Sequence, residues 1–199
     1  MKIDRLFEKV GNDIVLLAGV ISNLSGDFKE LLDEFYKFKD ADTAGVRDRI
    51  EVEIKRGNGE IQKIFDTGWS RNGITNIGKT EVAKLIGGIT GANPFSYIAI
   101  GIGTTPFDAG QTALVQEIKR KSATVSLATT NTSNDTIVFE ATFSSGDGLS
   151  GSSAVSESGV FNASTGGVML CRQTFSVVNL NWDNGDQLTV RWRIVIQQA

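Results

Sequence analysis

The chain has 199 residues, with 20 Lys and Arg against 23 Asp and Glu and no histidine. A net charge of −3 supplies no general field for attracting nucleic acid or anionic membranes. The missing imidazole excludes Ser-His-Asp and Cys-His nucleophiles and His-liganded zinc, and one cysteine, Cys171, cannot close an intrachain disulfide.

The first element is the most regular. Ile3, Phe7, Val10, Ile14, Leu17, Ile21, Leu24, Phe28, Leu31, Phe35 and Phe38 alternate spacings of four and three without a slip. That is the heptad pattern of a self-associating helix, with Phe7, Ile14, Ile21, Phe28 and Phe35 at a and the others at d. Unbroken, such a helix would be about 54 Å long at about 1.5 Å per residue. Gly11, Gly19 and Gly26 weaken it, and Ser25-Gly26-Asp27 with Glu30 resembles a stop and a new N-cap, the signature of two helices folded back on each other or docked on a partner. In both arrangements residues 1–42 serve contact rather than chemistry. The apolar run 14–21 is too short to span a bilayer, and Asp4, Glu8 and Asp13 occupy what would be a basic leader, so synthesis in a cytoplasm is expected.

A polar connector, DADTAG at residues 40–45, precedes a second unit at 46–91. Ile50, Val52 and Ile54 alternate with Glu51, Glu53 and Lys55, Gly57-Asn58-Gly59 turns the chain, and residues 61–65 return, which predicts a β-hairpin. Ile74, Ile77, Val82, Leu85 and Ile86 then predict a short helix ending at Gly87-Gly88. The same stretch contains the literal pattern of a phosphate-cradling loop, Gly73-Ile74-Thr75-Asn76-Ile77-Gly78-Lys79-Thr80. Its context argues against that chemistry: no buried strand leads into it, and two isoleucines stand where small residues let backbone approach phosphate. A nucleotide hydrolase is therefore a remote alternative.

Residues 92–199 read as a third unit, an antiparallel β-sandwich. Strand signals recur at 95–102, 123–129, 136–144, 168–175 and 188–197, separated by turns rich in Gly, Ser, Asn and Asp and without a βαβ rhythm. Asp183-Asn184-Gly185-Asp186 lacks the spacing of a calcium loop and predicts a hairpin turn between Leu180 and Leu188. Glu140, Asp147 and Glu157 are the carboxylates from which a glycosidase pair would have to come. Trp69 and Tyr97 are candidates for stacking on a sugar, with packing the commoner fate, and Cys171 reads as a small buried hydrophobe.

From residue 66 onward the order of short motifs resembles virion structural proteins of tailed phages, of the tail-fibre, baseplate and head-fibre type. Those motifs are Trp69-Ser70-Arg71-Asn72 with Ile74-Thr75-Asn76 and Gly78; Ile98-Ala99-Ile100-Gly101-Ile102-Gly103-Thr104-Thr105-Pro106; and Thr112-Ala113-Leu114 with Glu117-Ile118 and Arg120. They continue in Glu157-Ser158-Gly159-Val160-Phe161-Asn162, Gly167-Val168-Met169-Leu170-Cys171-Arg172-Gln173-Thr174-Phe175 and Gly185-Asp186-Gln187-Leu188-Thr189-Val190-Arg191-Trp192. The resemblance implies a non-enzymatic virion structural component; no cofactor or metal is expected, and the charge balance and short apolar runs predict no nucleic acid partner and no membrane insertion. It also implies a frequent homotrimer that contacts other tail or capsid proteins and in some cases a host surface receptor or glycan. It makes the Asn-x-Ile-Thr-Asn-x-Gly stretch part of the fold rather than a phosphate site.

Overall fold

The computed structural model describes residues 44–70 and 73–198. The eleven heptad positions in residues 3–38, the connector up to residue 43, and Arg71 and Asn72 of the first resemblance motif lie outside the described residues. Within them the chain runs β1 (Ala44–Lys55), β2 (Ile61–Asp66), α1 (Asn76–Ile86), β3 (Tyr97–Gly101), β4 (Glu117–Ser122), β5 (Thr124–Ala128), β6 (Thr136–Phe143), β7 (Ser152–Phe161), β8 (Met169–Asn181) and β9 (Gln187–Gln198). Single turns of 3-10 helix at Ser145–Asp147 and Trp182–Asn184 follow β6 and β8.

The strands form two sheets, one of five in the order β2-β1-β9-β6-β5 and one of four in the order β4-β3-β7-β8. The mainly β, two-sheet architecture read from alternation is therefore present. The hairpin of residues 46–66 is not a separate unit, however. β1 lies between β2 and β9, so strands from either side of the boundary placed at residue 92 share one sheet. Its alternating Ile50, Val52 and Ile54, all fully buried, face the same core as Leu188, Val190 and Trp192 of β9.

That core lies between the sheets. Phe139 and Phe143 of β6 and Trp192 meet Ile98, Ile100, Val160 and Cys171 of the small sheet. Indole N–H groups need partners once buried, and both have one: Trp182 Nε1 donates to Ser153 Oγ at 2.9 Å and Trp192 Nε1 to Ser158 Oγ at 3.1 Å. These serines explain why β7, Ser-Ser-Ala-Val-Ser-Glu-Ser-Gly-Val-Phe, escapes an alternation reading although its last seven residues are all buried. β4, Glu-Ile-Lys-Arg-Lys-Ser, escapes it for the opposite reason: it is an edge strand guarded by charge.

The turn at residues 183–186 differs from expectation. β8 and β9 belong to different sheets, so this segment carries the chain across the sandwich instead of closing a hairpin. Gly185 takes a left-handed conformation there, and Asp186 accepts from the Asn181 and Gly57 amides, tying the tip of the β1–β2 hairpin to the crossing.

α1 ends where the sequence places it, but it starts after Ile74, which forms a bridge with Cys171 instead of joining the helix. Thr75 is its N-cap, accepting from the Gly78 amide at 2.9 Å, and Gly87 is its C-cap. The residues leading into it pair with β8, through Thr75 N to Leu170 O at 2.9 Å and Arg172 N to Gly73 O at 2.8 Å. They cover part of an edge that would otherwise be bare.

Candidate functional site

Strand alternation dictates where the charged residues of the resemblance motifs go. Across β3 and β7 the register pairs Gly101 with Glu157, Ala99 with Gly159 and Tyr97 with Phe161; across β7 and β8 it pairs Gly159 with Arg172 and Phe161 with Met169. Because Ile98, Ile100, Val160 and Cys171 face the sandwich core, these partners share the opposite face of the small sheet. A face bearing Glu157 and Arg172 would normally be wet. Here both are fully buried, and they form an ion pair with Arg172 Nε 2.8 Å from Glu157 Oε2.

The cover is the segment between β3 and β4. Glu157 Oε1 accepts from the Gly103 and Gln116 amides at 3.0 and 2.7 Å, and Oε2 accepts from the Val115 amide at 3.1 Å. Arg172 continues outward, with Nη1 donating to Gln111 Oε1 at 3.0 Å and Nη2 to the Thr105 carbonyl at 2.9 Å. Ser156 Oγ donates to the Gly103 carbonyl at 3.0 Å. One carboxylate and one guanidinium thus clamp both ends and the middle of the 102–116 loop, and both carboxylate oxygens are occupied by donors.

The two glycines of Gly101-Ile102-Gly103 are needed for this closeness. A Cβ on either would lie 2.5 Å from Glu157 Oε1, inside any tolerable contact. This glycine-rich segment is a lid drawn onto its own sheet. The neighbouring apolar cluster of Ala99, Leu114, Phe161 and Met169 seals it further, with Tyr97 packed alongside and the Arg120 guanidinium 3.5 Å over the Phe161 ring.

The phosphate-loop pattern is spent in the same way. The Asn76 amide donates to the Ala109 carbonyl at 2.8 Å and the Lys79 amide to Thr75 O at 3.0 Å. Thr75 Oγ1 donates to the Met169 carbonyl at 2.6 Å, and Thr80 Oγ1 to Asn76 O at 3.1 Å. A Cβ at Gly78 would lie 2.5 Å from Leu170 O, so that glycine serves packing against β8. The amides a phosphate would require already hold protein carbonyls and hydroxyls.

The three carboxylates considered for glycoside chemistry are not brought together as a pair; each is held by a different cation. Glu140 pairs with Arg191, Asp147 with Lys121 and Glu157 with Arg172. Burial raises the Asp147 carboxyl, but Lys121 and the Ser144 amide outweigh it and leave the group below its ordinary value. Asp183 accepts from the Gly151 amide and Asp186 pairs with Arg56, and among the described residues no cluster of His, Cys, Asp or Glu could hold a metal. Trp69 and Tyr97 are half-buried, and Cys171 is fully buried, its thiol pushed well up by desolvation and then by the nearby Asp48 charge.

Two residues escape a reading from sequence alone. Glu81 ties α1 to the strands beyond it, accepting from the Asn93 amide at 2.9 Å and Asn162 Nδ2 at 3.1 Å; the Asn93 bond chiefly lowers its carboxyl. Asp48 is fully buried, with Oδ1 accepting from the Gly73 amide at 3.3 Å and Oδ2 without a partner; desolvation raises its carboxyl. Asp48 does carry one sequence signal, since it occupies an apolar position of the β1 alternation.

No protein-family model matches the chain, and neither a curated protein nor a solved structure does.

Proposed function

We propose that this is a non-enzymatic virion structural protein of the tailed-phage type, a tail-fibre, baseplate or capsid-attached fibre component. In this reading the heptad residues assemble copies, with a trimer as the expected state, and the sandwich is displayed outward or packed against neighbouring virion proteins. One observation carries the proposal: several of the motifs on which the resemblance rests, far apart in sequence, spend their charged and polar groups on contacts with one another in the interior. Gly101 and Gly103, Glu157 and Arg172, and Thr75 and Gly78 against Leu170, all make their polar contacts or close approaches inside the molecule. Motif residues consumed in this way fit a scaffold better than a reaction centre, which needs groups free to meet a substrate.

The test is the solution mass of the full chain beside a variant carrying Ile14→Asp and Ile21→Asp. The reading expects a trimer that falls to monomer in the variant, because a charge at an a position is buried only at a cost of several kcal/mol. A full-length monomer would reject self-assembly through the heptads. Lys79→Ala sharpens the contrast with the nucleotide reading: it should leave assembly unchanged, whereas nucleotide binding lost on that substitution would restore the remote alternative.

A further inference from the structure

Asparagine followed by glycine is a backbone pairing open to self-modification. The glycine nitrogen can add to the asparagine side-chain carbonyl, and no Cβ obstructs the five-membered ring that forms. The described residues contain two such pairs, Asn58-Gly59 in the turn between β1 and β2 and Asn184-Gly185 at the crossing from β8 to β9. Both pairs are exposed, so access to water does not separate them. Their restraints do.

Asn184 is the last residue of the 3-10 turn Trp182–Asn184, and the amides on both sides of its Cα are held. Its own amide donates to Asn181 Oδ1 at 3.2 Å, and the Gly185 amide donates to the Trp182 carbonyl at 3.1 Å. The Asn184 carbonyl lies so close to Gly57 that a Cβ there would collide with the oxygen. Closing the ring requires a large rotation about the Cα–C bond of the asparagine. At Asn184 that rotation would break the Gly185 bond, lift the carbonyl off Gly57 and pull on Trp182, which is fully buried.

Asn58 stands at a hairpin tip where residues 57–60 are all exposed. Rotation there costs the bond from the Gly59 amide to the Arg56 carbonyl, while the Arg56 amide still holds Glu60 O across the neck at 2.8 Å. Gly59 has φ +88° and open space where a Cβ would stand, so nothing packs against the residue that supplies the attacking nitrogen. The Glu60 amide donates to Asn58 Oδ1 at 2.9 Å. That bond holds the side-chain carbonyl over its own backbone and supports the negative charge that gathers on the oxygen during addition. We propose that Asn58 is a self-modification site of the folded protein, losing its side-chain amide through a succinimide, and that the crossing protects Asn184. The Gly59 nitrogen gives its proton to solvent base and bonds to Asn58 Cγ, and the Cγ–Nδ2 bond breaks to release ammonia. One water then opens the ring at either carbonyl, leaving aspartate or isoaspartate at position 58, with no change of oxidation state. The acid stands one residue from Gly57, whose amide donates to Asp186, so the new charge repels the carboxylate that ties this tip to the crossing.

The test incubates the full-length folded chain in mildly alkaline buffer beside a second sample unfolded in urea. Trypsin puts the Asn-Gly pairs of the sequence on separate peptides, residues 57–63, 72–79 and 173–191, so each is followed alone by mass spectrometry. Asn72 lies outside the described residues, and its peptide is kept apart from the comparison. The inference expects the folded chain to convert Asn58 about tenfold faster than Asn184, or more, and the unfolded chain to convert the two at similar rates. A smaller ratio in the folded chain overturns the inference. So does an equal ratio in urea, which would assign the difference to neighbouring residues rather than to the fold. Asn58→Gln, whose longer side chain closes a ring far more slowly, should remove the product from peptide 57–63. Acid forming there at the parent's rate would place the reaction elsewhere and overturn the assignment.

Discussion

The two sheets each carry charged pairs on the face turned away from the core, and the two faces use them in opposite ways. On the large sheet Arg49, Glu51, Lys63, Asp66, Glu140, Arg191 and Arg193 form a chain of ion pairs whose members keep between 15% and 52% of their side-chain surface in water. On the small sheet Glu157 and Arg172 keep none. The residue types are the same; what differs, among the described residues, is the 102–116 loop folded over one face and no such segment over the other. A solvated pair has an effective alternative in water and contributes little. A pair removed from water must be satisfied by the protein at every donor and acceptor, and leaving either member alone is costly.

The largest effect that would break this comparison is expected at Glu157. Glu157→Gln removes the charge that compensates Arg172 and should destabilise the protein by about 3–5 kcal/mol. At about 2–4 °C per kcal/mol for a domain of this size, that is a fall of about 6–20 °C in the thermal midpoint. Pairing it with Arg172→Met should recover part of the loss, since neither charge is then stranded; strictly additive losses would show that the two residues do not act as a unit.

A smaller effect sharpens the point that burial without a partner is what costs. Asp48→Asn keeps an acceptor for the Gly73 amide and removes the charge from a carboxyl whose folded-state value is raised. For such a group the stabilising contribution is fully present below its unfolded value of 3.8 and is lost as pH rises through the folded one. The variant should therefore match the parent in acid and exceed it at neutral pH, by about 1–3 kcal/mol in urea unfolding. A gain in acid that fades toward neutrality would reverse the assignment.

The smallest effect belongs to the solvated face. Glu140→Gln should change stability by less than about 1 kcal/mol, and half-molar salt should erase most of the difference. A loss as large as that at Glu157 would abolish the distinction between the two faces.

The same contrast explains what was legible in the sequence. Strands whose apolar residues alternate along most of their length, β1, β6 and β9, were readable because their core-facing side is apolar and much of the other side is polar. α1 was readable from its apolar spacing and its closing glycines, whereas its N-cap, Thr75, was not. β7 was not, since it is buried on both faces with serines and a glutamate, whose partners come from β8, β9 and the 102–116 loop, and no local pattern announces them. The crossing at residues 183–186 resembled a hairpin because a turn sequence specifies that the chain reverses, not which sheet it rejoins. Glu157 and Arg172 were visible only as members of a motif order. Their pairing depends on β7 and β8 being neighbours, which alternation leaves open.

The loop clamp is the centre of this account, and amide hydrogen exchange on the unmodified protein tests it directly. Gly103, Val115 and Gln116 lie in or beside an irregular surface segment, yet each amide donates to Glu157. The account predicts that these three exchange as slowly as the core amides of β3 and β7, opening only with global unfolding. Exchange at the rate of a solvated loop, with β3 and β7 still protected, would show that the lid opens on its own and would contradict the clamp.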